Sequence, residues 1–113
     1  MADKGFQLKV IIPTDDGFNI SSNGIKKASY YLMYNISNRS YQLAGKIKTA
    51  DLYENSEFNF EVFKSEIEKA KIDKVVCNKQ FGVLLAYEVM FVKEKEIGVI
   101  LNNLIDFIDK KES

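Results

Sequence analysis

Phe6-Gln7-Leu8-Lys9-Val10-Ile11-Ile12-Pro13-Thr14-Asp15-Asp16-Gly17 is the stretch on which the fold turns. Phe6, Leu8, Val10 and Ile12 alternate with Gln7, Lys9 and Ile11, and this period of two reads as a strand. Pro13, the only proline, ends it, because proline brings no N–H to a ladder. Thr14-Asp15-Asp16-Gly17 reads as a turn in which Gly17 supplies a positive φ. The polar stretch continues through Ser21-Ser22-Asn23-Gly24 to Ala28. Nowhere else do turn formers, hydroxyls and carboxylates lie so close together. A site delivered by the first strand is therefore expected here.

The 113 residues suit one domain, 1–113. Eight Phe and six Tyr among 46% apolar residues are ample for one core without a disulfide or metal staple. Sixteen basic residues balance sixteen acidic ones. That neutrality argues against a nucleic-acid binder relying on a strong basic field, but leaves room for a local patch. Cys77 is the only cysteine and there is no histidine. One thiol allows no intrachain disulfide, which fits a reducing cytoplasm. The start, Met1-Ala2-Asp3-Lys4, has no signal-peptide core, and the apolar run Phe81 to Val92 is too short to span a bilayer. A cytoplasmic chain away from membranes is expected.

Beyond the loop, Tyr30-Tyr31-Leu32-Met33-Tyr34 is apolar on both faces and reads as a central strand. Ser37-Asn38-Arg39-Ser40 connects it as a hairpin to Tyr41–Lys48. There Tyr41, Leu43 and Ile47 alternate with Gln42, Ala44, Lys46 and Lys48, as expected of an outer strand. Its lysines discourage edge pairing. Thr49 to Asn55 reads as a connection and Ser56 as an N-cap. Phe60, Phe63, Ile67 and Ala70 share one helical face. Val75-Val76-Cys77 reads as a buried strand. Gln80 to Glu96 suits a helix through Phe81, Leu84, Leu85, Val89 and Val92, although Val83, Leu85, Tyr87, Val89 and Phe91 equally suit a strand. Length favours the helix. Ile97 to Leu101 reads as a last strand, and Leu101, Leu104, Ile105 and Ile108 as a final helix capped by Asn103. The order is β–loop–β–β–α–β–α–β–α. Strands two and three form a hairpin, and strands four and five, reached through helices, should be parallel.

Ile11-Ile12-Pro13-Thr14-Asp15-Asp16-Gly17, Ile20-Ser21, Ala28 and Tyr30-Tyr31-Leu32-Met33-Tyr34 resemble the nitrogenase iron–molybdenum cofactor biosynthesis family. Ile72-Asp73-Lys74-Val75-Val76-Cys77 extends the resemblance. It implies an α/β, ribonuclease-H-like three-layer fold, with a five-stranded mixed sheet flanked by helices. It further implies a small non-enzymatic carrier of iron–molybdenum cofactor or an iron–sulfur cluster, working with a cofactor-assembly partner. Where members carry a loop histidine, this chain has Asn23 or Gly24.

The candidate ligand-binding residues are Thr14, Asp15, Ser21, Ser22, Asn23 and Gly24, whose N–H groups and hydroxyls could hold an anionic ligand or a cluster edge. An ordinary surface connection capped by its own Asp and Ser side chains is the alternative. Cys77 is the candidate metal ligand, as the one soft donor; the alternative is a small core residue. The alternative function is a module that binds no metal and forms a homodimer through Phe81 to Val92. Two-metal nuclease chemistry needs converging acids, and the expected strands two to five carry none. No nucleophile–base pair is recognisable, so an enzyme is not expected.

Overall fold

The computed structural model describes residues 7–22, 27–77 and 88–112. Strands β1 (Leu8–Thr14), β2 (Tyr30–Ile36) and β3 (Tyr41–Lys48) are followed by a 3-10 turn (Thr49–Leu52) and a small hairpin, β4 (Tyr53–Glu54) and β5 (Glu57–Phe58). Helix α1 (Phe60–Ala70), strands β6 (Lys74–Cys77) and β7 (Glu88–Phe91) and helix α2 (Ile97–Glu112) complete the order. Five strands make one mixed sheet, β3-β2-β1-β6-β7. β2 runs antiparallel to β1 and β3, while β1, β6 and β7 are mutually parallel. This is the α/β architecture with a five-stranded mixed sheet that the sequence leads one to expect. No helix among the described residues is long and apolar enough to cross a membrane.

The period of two in β1 feeds two cores. Val10 and Ile12 pack with Leu32, Ile36 and Val76 beneath α2, whose Ile97, Ile100, Leu101, Leu104 and Ile108 are buried. Ile11 points the other way, to Tyr31, Val75 and Cys77 beneath Phe63 and Ile67 of α1. Each buried aliphatic side chain contributes roughly 1.5–3 kcal/mol, so the two faces together outweigh any single polar contact. The ladder from β1 to β6 uses Val10 and Ile11 and stops short of Pro13, which pairs only with Tyr31 of β2. Proline therefore does not end the strand, which runs on to Thr14.

Several sequence expectations are corrected. Ile97 to Leu101 is no strand but the opening of α2. A short apolar run fits either period, and here Ile97, Ile100 and Leu101 continue the spacing of Leu104 and Ile108. Asn103 accordingly lies inside the helix, exposed, and caps nothing. The helix expected over Gln80 to Glu96 gives way to a strand at Glu88–Phe91, where Val89 joins the core under α1 and Met90 the core under α2. The fifth strand is thus β7, parallel to β6 as expected of strand five but formed from other residues. Residues 78–87 lie outside the described residues. The dimer expected through Phe81 to Val92 falls mostly on residues 81–87, outside the described residues; Met90 and Val92 are half-buried against the α2 core. Ser56 sits with φ 67° in the β4–β5 turn, and Asn59 caps α1 instead, accepting from Glu61 N–H at 2.9 Å and Val62 N–H at 3.2 Å.

β3 holds the least legible feature. Met33 pairs with Gly45 but Tyr34 pairs with Leu43, so Ala44 is an extra residue, a bulge. Side chains paired across strands share a face. Tyr41 and Leu43, opposite Ile36 and Tyr34, therefore lie on the α2 side, while Ile47, opposite Tyr31, lies on the α1 side. Lys46 and Lys48, opposite Leu32 and Tyr30, join Tyr41 and Leu43. The simple alternation read from the sequence separates these residues, and the bulge brings them together.

Candidate functional site

The loop after β1 is built around two carboxylates. Asp16 accepts the N–H groups of Phe18 at 2.9 Å and Asn19 at 2.8 Å on Oδ1, and the Asn19 amide at 3.0 Å on Oδ2. An Asp that binds the backbone two and three residues on makes an Asx turn, which the Asp-Gly step favours. The Asn19 N–H, then that of Phe18, hold the Asp16 carboxyl below the usual carboxylate range. Asp15 works at longer range. Its Oδ2 accepts the Ser21 hydroxyl at 3.0 Å, and its Oδ1 accepts both the N–H of Ser29 at 2.8 Å and its hydroxyl at 3.0 Å. Asp15 thus ties the beginning of the loop to the entry of β2.

Thr14 is fully buried. Its hydroxyl donates to the Asn19 carbonyl at 2.6 Å and accepts the Gly17 N–H at 2.9 Å. The Ile20 N–H donates to the Lys95 carbonyl and the Ser21 N–H to the Pro13 carbonyl, each at 2.8 Å. Every backbone N–H from Gly17 to Ser21 is therefore used inside the protein. The structure brings Thr14, Asp15 and Ser21 together as partners of the loop itself. Ser22 is exposed, and Asn23 and Gly24 lie outside the described residues.

Cys77 ends β6 at the same end of the sheet as Thr14, because β1 and β6 are parallel. Its side chain is fully buried with Ile11, Ala28, Tyr31 and Val75 in the α1 core. Among the described residues no group of three or more His, Cys, Asp or Glu side chains could hold a metal ion. An iron–sulfur cluster takes several thiolates. One buried thiol, no histidine in the chain and two carboxylates already occupied by N–H and O–H donors do not fit a resident cluster.

Neither periodicity nor motif singles out Phe18 in the sequence. It stands 76% exposed, yet its backbone is held on both sides: its N–H by Asp16 and its carbonyl by the Ile97 N–H at 2.9 Å. The signal was available as a large aromatic between Gly17 and Asn19, inside an Asx turn that faces away from the core. Ser29 and Asn19, which anchor the two carboxylates, carried no such signal, since their pairing depends on the closed loop. The chain matches no protein-family model, and no curated protein matches it.

Proposed function

We propose that this protein is a small non-enzymatic binding module of ribonuclease-H-like fold that docks a protein partner on the surface around the loop after β1. The observation that carries this reading is Phe18: a fully fixed backbone presents an aromatic ring to solvent. Rigid aromatic anchors supply much of the energy of interfaces, because little side-chain freedom is lost on binding. The fold part of the reading draws on the five-stranded mixed sheet and on the separate helix-covered core on each face. The test is site-specific photo-crosslinking in cells, with a benzophenone side chain at position 18 and, as control, at the exposed Glu68 of α1. Crosslinked protein species specific to position 18 are expected. Equal crosslinking at both positions, or none, overturns the reading.

A second reading is the transfer of an iron–molybdenum cofactor or iron–sulfur cluster that the family resemblance implies. It is favoured by the position of Cys77 at the loop end of the sheet, and it requires a partner protein to contribute the missing ligands. Anaerobic reconstitution, reading bound iron and visible absorption, tests it. Binding by Cys77→Ser equal to that of the unaltered protein removes the thiol from any such role.

A further inference from the structure

β3 is an outer strand of the sheet, and no described strand pairs with its far side. Such a side presents a row of backbone N–H and C=O groups ready for another strand. Sequence and bulge together decorate it unusually. The face that β2 and β3 turn toward the α2 side carries Lys46 and Lys48, two residues apart, and no carboxylate from either strand. Both lysines are exposed, and the ammonium of Lys46 lies 4.2 Å from the centre of the Tyr30 ring, which fixes its position on the sheet. Leu43, 55% exposed, and Tyr41 extend the same face beyond the bulge. At the other end Tyr30 reaches the first loop, where a Cβ on Gly17 would lie 2.9 Å from the Tyr30 hydroxyl. The β3 face is therefore continuous with the loop that carries Phe18.

We propose that residues 45–48 of β3 receive an extended strand of a partner protein whose acidic side chains, at alternate positions, meet Lys46 and Lys48. The proposal rests on the docking function above and names the partner's chemistry. Strand addition draws affinity from the unpaired backbone edge and selectivity from alternate side chains. Directly opposed opposite charges across a strand pair are favourable and like charges unfavourable. A second β3 paired antiparallel about Ile47 would set Lys46 against Lys48, which disfavours self-association at this straight half of the strand. Nucleic acid makes no use of a backbone edge, and the chain has zero formal net charge.

The probe is a fluorescein-labelled peptide, Thr-Glu-Val-Glu-Val-Thr, titrated with the full chain by anisotropy and by amide chemical shifts. Controls are the same peptide N-methylated at every residue, its Lys-for-Glu counterpart and a labelled oligothymidylate. Saturable binding with amide shifts centred on residues 45–48 is expected, abolished by N-methylation. The double variant K46E/K48E should bind the acidic peptide roughly tenfold more weakly and bind the Lys-for-Glu peptide instead. Unchanged thermal unfolding of that variant shows that its fold is retained. No saturation up to about 1 mM, indifference to N-methylation, or binding of the oligothymidylate in place of the peptide overturns the proposal. Failure here with position-18 crosslinks intact removes the acidic strand and leaves the docking reading standing. Loss of both removes both.

Discussion

Ser29 binds Asp15 twice, through its N–H at 2.8 Å and its hydroxyl at 3.0 Å, across fourteen residues of sequence. These bonds, with the one from the Ser21 hydroxyl to the same carboxylate, close the loop between β1 and β2. Asp15→Ala should cost about 1 kcal/mol: hydrogen bonds to a charged group are worth more, but this one is exposed and water replaces part of the loss. Asp15→Asn keeps one acceptor oxygen and should recover part of that stability. Urea denaturation of the two variants checks the order, and an Asn variant weaker than the Ala variant contradicts it.

Gly17 has φ +84°, and a Cβ there would meet the Tyr30 hydroxyl at 2.9 Å. Gly17→Ala should therefore destabilise by about 1–3 kcal/mol, combining a left-handed backbone with a close contact. Removing the hydroxyl with Tyr30→Phe relieves only the contact. In the double variant the remaining loss should be the backbone part, about 1 kcal/mol. Additive losses in this double-mutant cycle would show that the contact plays no part.

The pH dependence has two ends. Asp16 has a carboxyl held below its ordinary value of 3.8 in the folded protein. Its contribution is present above 3.8 and is lost as pH falls through the lower folded value. Amide signals of Phe18 and Asn19 should therefore titrate with a midpoint below 3.8. A midpoint above that value sinks the assignment. Tyr31 and Tyr34 are displaced upward from 10.0, in both cases chiefly by burial. A hydrogen bond with Thr49 partly opposes this at Tyr31. Folding stability should be unaffected by these rings below 10.0 and fall above it, because the unfolded chain ionises first. Tyrosinate absorbance at rising pH should show these two rings ionising only above 10.0.

Much of this molecule is legible in the sequence because it rests on neighbours along the chain. The period of two through Leu8, Val10 and Ile12 marks β1 as a strand, and Phe63 and Ile67 mark the inner face of α1. Asp16-Gly17 encodes its turn within a few residues, and Gly17 takes the positive φ expected of it. The sequence by itself thus determined the α/β class, the β2–β3 hairpin and the polar loop after β1.

Tertiary structure decided the rest, because the deciding interactions join residues far apart. Ile97 to Leu101 is apolar enough for a strand or a helix, and only the Val10, Ile12 and Val76 surface of the sheet selects the helix. Met90 belongs to a strand because β6 offers Val76 as its partner. The hydroxyls of Thr14 and Ser21 and the N–H groups of Gly17, Phe18 and Asn19 look available to a ligand in sequence, but once the loop closes they bond within it, to Asp15, Asp16, Thr14 and the Asn19 carbonyl. In β3 one extra residue, Ala44, resets a period of two, so Leu43 and Lys46 share a face that their spacing alone would divide. Local periodicity carries no record of a bulge, because the bulge exists only against the strand it pairs with.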